Sequence, residues 1–304
     1  MDKTIYVIGH KNPDTDSICG AICYTYFLKQ KFPNKKFIAA RAGKINLETK
    51  FVLKYFNIKK PILLNNAKNK NIIIIDHNEI SQAIKNIKQA NILEIIDHHR
   101  VGNVETIKPT PFINEPCGAT SSIITEKFNL FKIPLTKKYA GLLLSAILSD
   151  TILLKSPTTT TKDRILIKKL AKIANINIKK YGKQMLKSGC DIINHSAKKI
   201  LETDFKIYKK IGIGQILIID TEIALRRKYD LLKEMNKKLK SEKFDHIFLM
   251  ITNILSLETN LLIVSKNLKK VAKVFKKEII NNVIFLPNTV SRKAQIQPIV
   301  LKLF

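Results

Sequence analysis

The stretch Gly9-His10-Lys11-Asn12-Pro13-Asp14-Thr15-Asp16-Ser17 puts one imidazole and two carboxylates within seven residues, around a proline that stiffens the chain. All three are ligands for a divalent metal. An Asx-rich turn closed by a helix cap is an equal account of this stretch taken alone. The same residue types recur further on. Asp76-His77-Asn78 follows an apolar run, Asp97-His98-His99-Arg100 follows another, and the apolar segment 142–148 runs into Ser149-Asp150. A single aspartate after a strand is most often a turn or cap residue. Four separate caps that collect four of the six histidines are a poorer account than one metal centre.

The ligand types narrow the metal. Mg²⁺ and Ca²⁺ favour all-oxygen shells and thiolates favour zinc, whereas imidazole mixed with carboxylate suits Mn²⁺, Co²⁺ or Fe²⁺. Asp14, Asp16, Asp76 and Asp150 carry four negative charges, which two divalent ions would neutralise. A water bridging two such ions becomes hydroxide near neutral pH, the nucleophile that phosphoryl transfer needs.

The elements that must position these groups are short β-rich runs alternating with helical ones. Segments 37–40, 71–75 and 92–96 read as buried strands, and 17–31, 46–57, 79–90, 120–131 and 136–149 carry helical spacing. Nearly continuous apolar strands between helices imply an α/β fold with a parallel sheet covered on both faces. In such sheets ligands bind at the carboxyl ends of the strands, where each acidic cluster falls. Helices over 159–174 and 177–188 close this half. Lys187-Ser188-Gly189-Cys190-Asp191 onward to Ser196 reads as a linker, with a glycine where a helix should stop. Strands at 215–219, 246–250 and 261–264 and a charged helix over 221–241 then form a smaller α/β domain.

At 304 residues, with 45% hydrophobic and 26% charged residues, the chain can bury a real core. The net charge is +30, yet only six of the 54 basic residues are arginine, aromatics are 7%, and tryptophan is absent. Nucleic-acid surfaces use arginine forks and interleaved aromatics, so nucleic acid is not expected as the main partner. The Lys, Ile and Asn excess is what A/T-rich coding would give. Four cysteines without zinc-type spacing, no secretory signal and no apolar run of membrane-spanning length lead us to expect a cytoplasmic protein with no membrane partner.

The HxxxDxD loop, Asp76-His77-Asn78 and Asp97-His98-His99 resemble the DHH phosphoesterase superfamily. With the complete GHKNPDTDS stretch and Ser291-Arg292-Lys293 near the C-terminus, the chain is most similar to the family II, manganese-dependent inorganic pyrophosphatases. Five motifs in order span essentially the whole chain. The resemblance implies a DHH domain over 1–188, a hinge at 189–196 and a DHHA2-type substrate-binding domain over 197–304. It implies two Mn²⁺ per subunit, with Co²⁺ as a substitute and a further Mg²⁺ arriving with pyrophosphate. His10 and Asp14 would ligate the first ion and Asp16 and His98 the second, with Asp76 and Asp150 bridging. His99 would assist protonation of the leaving group, Asp97 and His77 would orient ligands, and Lys206, Arg292 and Lys293 would grip substrate as the second domain closes. A homodimer is the expected assembly.

Arg292 is the stronger candidate even without the family, because it is one of six arginines whereas Lys206 is one of 48 lysines. A guanidinium fork grips phosphate oxygens bidentately. The segment 115–121 opens a helix and is a candidate source of backbone N–H groups for phosphate, with plain helix initiation an equal reading. Two related activities stay open. A nano-RNA or cyclic-dinucleotide phosphodiesterase would carry a glycine-rich motif in its second domain, but no glycine follows Gly214. An exopolyphosphatase shares the second domain, and the motifs do not state substrate length. A degenerate, lysine-rich binding protein would show gaps among the six ligands, and none is missing. Between Leu93 and Asp150 there is no room for a regulatory nucleotide-binding insert.

Overall fold

The computed structural model describes residues 4–189 and 195–303, with the Lys293 side chain also outside the description. The chain forms two compact units, Met1–Gly189 and Cys190–Phe304. The linker expected at 189–196 falls mostly on residues 190–194, outside the described residues.

In the first unit the elements run β1 (Thr4–Ile8), α1 (Thr15–Lys31), β2 (Lys36–Arg41), α2 (Leu47–Tyr55), β3 (Ile62–Leu63), β4 (Asn71–Ile75), β5 (Asn91–Asp97), β6 (Phe112–Asn114), α3 (Thr120–Leu130), α4 (Lys137–Asp150), α5 (Thr161–Ala174) and α6 (Ile178–Gly189). The six strands form one sheet in the order β3-β2-β1-β4-β5-β6, parallel at every pairing. The strand β4, Asn-Ile-Ile-Ile-Ile, is buried on both faces. Ile72 and Ile74 pack in one cluster with Ile8, Ile84, Ile87 and Ile92. On the opposite face Gly20 of α1 lies so close that an added Cβ would stand 3.0 Å from Ile75 Cγ2 and 3.3 Å from Ile124 Cδ1 of α3. Ile72, Ile74 and Ile75 have no exposed surface, and each contributes about 1.5–3 kcal/mol of burial.

The segment 79–90, expected as a helix, instead makes two 3-10 turns at Ile80–Gln82 and Ile87–Gln89. Its apolar residues still cover the sheet, through Ile84 and Ile87. Helical spacing was therefore a correct sign of burial but not of conformation. Only two short turns fit, because Asn86 in the left-handed region interrupts them. The helix α4 is fully buried from Leu142 through Leu148, which is why its hydrophobic residues do not form a single stripe.

The second unit runs α7 (Ala197–Glu202), β7 (Phe205–Tyr208), β8 (Ile211–Ile218), α8 (Thr221–Leu225), α9 (Lys228–Ser241), β9 (His246–Asn253), β10 (Glu258–Ser265), α10 (Leu268–Phe275), β11 (Val283–Leu286) and α11 (Gln297–Val300). Its sheet has the order β11-β10-β9-β8-β7 and is mixed, since only β8 and β9 are parallel. Alternate residues of β9 enter two cores: Ile247, Leu249 and Ile251 join Leu231 and Met235 of α9, while Phe248 and Met250 join Val271 of α10. The helix expected over 221–241 breaks at Arg226-Arg227 into α8 and α9. Among the described residues no helix is long and apolar enough to cross a membrane.

Gly141 of α4 sits under Phe56, where an added Cβ would fall 2.1 Å from the ring. Gly141→Ala must displace that ring, and we expect a loss of about 1–3 kcal/mol in unfolding free energy by urea titration. An unchanged midpoint would show that Phe56 moves freely.

Candidate metal centre

Strand ends and one helix end deliver the ligand-type groups. After β1, Asp14 caps α1, its Oδ1 accepting the Ser17 N–H at 2.9 Å, while the Ser17 hydroxyl accepts the His10 N–H at 3.1 Å. Asp14 Oδ2 lies 3.3 Å from His10 Nε2. Capping occupies one oxygen and leaves the other at the cleft, so the cap and ligand accounts of this loop do not compete. Gly9 is required for the turn's closeness, because a Cβ there would stand 1.8 Å from Ser17 Oγ.

Asp16, in the first turn of α1, is wholly buried. Its two oxygens accept the N–H groups of Thr120 (2.6 Å) and Ser121 (3.0 Å) at the start of α3. The Gly118 N–H is taken by Asp163 Oδ2 at 2.9 Å. The N–H groups of Gly118, Thr120 and Ser121 are thus engaged by the chain's own carboxylates, which favours the helix-initiation reading of this segment over the phosphate-binding one. A helix N-terminus still binds an anion here, but the anion is Asp16.

Asp76 follows β4 with φ 67°, in the left-handed region. Its N–H donates to the Ile96 carbonyl (2.9 Å) and its Oδ1 accepts the Thr120 hydroxyl (2.9 Å). Its Oδ2 is buried, makes no short hydrogen bond, and faces His10 Nε2 at 3.5 Å. His98 donates Nδ1–H to the Cys117 carbonyl at 2.9 Å. A carbonyl can only accept, so Nδ1 carries a proton and, in the neutral ring, Nε2 is the nitrogen with the lone pair. That Nε2 is buried without a partner and lies 3.6 Å from both Asp76 Oδ1 and Asp150 Oδ2. Asp150 ends α4. The three residues beyond Thr151, namely Ile152, Leu153 and Leu154, all have positive φ (49°, 54° and 68°). Such conformations cost about 1–3 kcal/mol each for side chains of this kind, so the chain is turned sharply aside just past Asp150.

One ligand atom from each of Asp16, Asp76, His98 and Asp150 lies within 4.8 Å of the others. His10, Asp14 and Asp76 form a second such set, and Asp76, His98 and His99 a third. Asp76 is common to all three, whereas Asp150 joins only the first. Lone pairs and carboxylates that face one another, with Asp76 Oδ2 and His98 Nε2 making no short hydrogen bond, fit divalent cations of intermediate hardness. Of these groups His10, Asp14, Asp76 and His99 line a cleft of about 400 Å³, together with His77 and Arg100 among others.

The electrostatics agree. Burial, then the charges of Asp16 and Asp14, pushes the carboxyls of Asp76 and Asp150 well above the ordinary range. Asp16 is also raised, again chiefly by burial. Burial works against the charge of His10, but hydrogen bonds to Asp14 and Asp76 prevail and raise it to about 10. Burial lowers His77 to about 4, and its Nδ1 donates to the Ile75 carbonyl at 3.1 Å. His99 is half-exposed, and its Nδ1 contact with Asp97 Oδ1 at 2.8 Å raises it to about 9. Asp97 is held charged, below its ordinary value, because His99, the N–H groups of His98 and His99, and Asn78 outweigh its burial.

In the second unit Arg292 opens a short π-helical segment, Arg292–Ile296, capped by the Ser291 hydroxyl. Its guanidinium donates to the Asp204 carbonyl (2.6 Å) and to Asp204 Oδ1 (2.9 Å). Asp204 lies two residues before Lys206, which is exposed on β7.

Residues 4–147 match the DHH family, N-terminal domain, and residues 183–303 match the DHHA2 domain. A manganese-dependent inorganic pyrophosphatase of Methanothrix thermoacetophila is 45% identical over 304 residues, covering 98% of this chain and 97% of the relative. The chain belongs to the manganese-dependent, family II inorganic pyrophosphatases. Its counterpart from Bacillus subtilis is 37% identical, with 98% of both chains covered. A Methanococcus jannaschii crystal structure, designated provisionally as a family II inorganic pyrophosphatase, superposes with TM-score 0.69 and 39% identity over 98% of both chains. An exopolyphosphatase-related protein of Bacteroides fragilis shares the fold at TM-score 0.52 and 15% identity, covering 99% of this chain and 91% of that one.

Sequence reading missed three residues that hold the family's motifs in place. Thr120 bonds Asp16 and Asp76. Asp163 bonds Gly118, Ser122 and Thr160, and its Thr160-x-x-Asp163 capping box was visible as a pattern. Glu48 carried no signal at all.

The pKa directions fix the pH response. Asp76, Asp150 and Asp16 keep protons that the unfolded chain loses above the ordinary value of 3.8, and His10 keeps one from 6.5 up to about 10. For the raised carboxyls, this protein without cations loses stability as pH rises above 3.8; for His10 the contribution present below 6.5 is lost as pH passes about 10. Cations compete with those protons, so the rise in Tm given by Mn²⁺ should be larger near pH 8 than near pH 5.5. Calorimetry with and without Mn²⁺ reads it, and an equal or reversed increment would remove the cluster from metal binding.

Proposed function

We propose that this chain hydrolyses inorganic pyrophosphate to two phosphates in a manganese-dependent reaction at the His10–Asp150 cluster. The observation that carries the reading is the sharing of Asp76 between neighbouring ligand sets, in a chain whose full-length relatives are named manganese-dependent inorganic pyrophosphatases. His10 and Asp14 would hold one ion and Asp16 and His98 a second, with Asp76 and Asp150 as the carboxylates that would serve both. Bound metal supplies a water-derived nucleophile at neutral pH and neutralises phosphate charge. Co²⁺ suits the same mixed donor set, and Mg²⁺ accompanies the substrate.

The chain's own groups do the rest. His98 keeps its lone pair on Nε2 because the Cys117 carbonyl fixes the other nitrogen's proton. His99, oriented by Asp97 and raised to about 9, is protonated at neutral pH and gives a proton to the leaving phosphate oxygen. Arg292 and Lys293 bind phosphate oxygens with Lys206. Asp204 presets the Arg292 fork, so little side-chain freedom is lost on binding. The ligand acids belong to the first unit and these cations to the second, and closure of the second unit over the substrate is part of this proposal.

Purified protein with Mn²⁺ and Mg²⁺ should hydrolyse pyrophosphate faster than tripolyphosphate, read by phosphate release, or short dinucleotides, read by mononucleotide release, and the reverse order would favour the exopolyphosphatase or phosphodiesterase reading. Arg292→Ala should lower kcat/KM for pyrophosphate by about 10²–10³-fold with bound manganese unchanged. Loss of manganese in that variant would make Arg292 a structural residue.

A further inference from the structure

A carboxylate outside the ligand sets joins both halves of the metal cluster. Glu48 lies in the first turn of α2 and is not a member of any set. Its Oε1 accepts the Thr15 hydroxyl at 2.6 Å and the Ser149 hydroxyl at 2.5 Å. Thr15 stands between Asp14 and Asp16, and Ser149 directly precedes Asp150. Thr15 Oγ1 is also 3.1 Å from Thr49 Oγ1. Because Thr15 donates its one proton to Glu48, Thr49 must donate to Thr15. The chain of bonds therefore runs Thr49 to Thr15 to Glu48, with Ser149 arriving from α4. Both threonines are wholly buried, so each hydroxyl depends on these partners. The same side chain abuts Gly189, where an added Cβ would stand 3.2 Å from Glu48 Cβ.

We propose that Glu48 is a positioning residue of the metal centre, setting the start of α1 against the end of α4 so that Asp14, Asp16 and Asp150 converge. The proposal rests on the reading of the cluster as a metal site. Simple adhesion between helices does not call for an acid here. Asp14 and Asp150 are like-charged neighbours of Glu48, and a neutral acceptor would join the two hydroxyls without that repulsion. The added negative charge is of use only where cations are to be held.

The test is titration of Mn²⁺ alone into metal-stripped protein, with free Mn²⁺ read by electron paramagnetic resonance. No substrate is present, so the outcome is independent of which phosphate compound is hydrolysed. Wild type that binds no Mn²⁺ would sink the functional reading itself. Given wild-type binding, Glu48→Ala is expected to weaken Mn²⁺ affinity by about 10–100-fold. Glu48→Gln keeps an acceptor oxygen of the same reach but not the charge, so it should recover part of that loss and stay weaker than wild type. A folded Glu48→Ala protein, judged by circular dichroism and Tm, that binds Mn²⁺ as wild type overturns the proposal and leaves Glu48 as helix packing. Should Glu48→Ala not fold, Thr15→Val and Ser149→Ala each remove one of the two hydroxyls. Weakened Mn²⁺ binding in both supports the clamp, and wild-type affinity in both overturns it.

Discussion

Three buried or half-buried carboxylates and an imidazole lone pair, gathered within 4.8 Å, repel one another unless a cation lies among them. Two unit charges at about 4 Å, at an effective dielectric near 20, differ by about 4 kcal/mol from the same charges far apart. Folding must therefore hold this cluster against a force that proton retention relieves only in part. The remedy is rigidity around it. Asp76 is fixed by the fully buried isoleucines of β4 behind it and by its N–H bond to Ile96. Asp150 ends a helix with no exposed side chain from Leu142 to Leu148. The unfavourable φ values of Asp76 and of 152–154 are a further expenditure at the same place, where strain is expected to concentrate.

Holding each acid follows one pattern. Donors from another element take part of the carboxylate, and the cleft takes the rest. Asp14 gives Oδ1 to the start of its own helix and keeps Oδ2 beside His10. Asp76 gives Oδ1 to Thr120 and keeps Oδ2 toward His10 Nε2, 3.5 Å away. Asp16 receives the first N–H groups of α3, whose partial positive charge offsets some of its burial. His98 is treated alike, one nitrogen bonded and the other left with its lone pair. A structure selected for stability alone would pair every one of these atoms.

The candidate ligand residues were legible because parallel sheets place them by rule. A ligand-type residue directly after a buried apolar strand must lie at the carboxyl edge, so His10, Asp76 and His98 could be brought together from spacing alone. The motif order then supplied the family. What was not legible depends on contacts between distant elements. Segment 79–90 has the apolar spacing of a helix, yet it needs only to cover Ile72 and Ile74, which two 3-10 turns achieve. The N–H groups of Gly118, Thr120 and Ser121 looked available because nothing local shows that Asp163 and Asp16, about 45 and 100 residues away, claim them. Glu48 is one of 24 acidic residues and acquires meaning only when Thr15 and Ser149 converge on it.

The net charge of +30 describes the molecule but not its cleft. Of the lining residues, Asp14, Asp76 and Glu79 are acidic, and Arg100 is tied to Glu79 at 3.1 Å. A highly charged anion drawn in by the general positive field therefore meets acids at the sheet edge, and only cations bound there reverse the local sign. Metal dependence follows from this arrangement before any step of bond breaking is considered. In the second unit the one arginine fork near the C-terminus is likewise held within its own unit, by the carbonyl and carboxylate of Asp204. A planar guanidinium oriented in this way presents its donors in the fixed spacing that matches oxyanions bidentately.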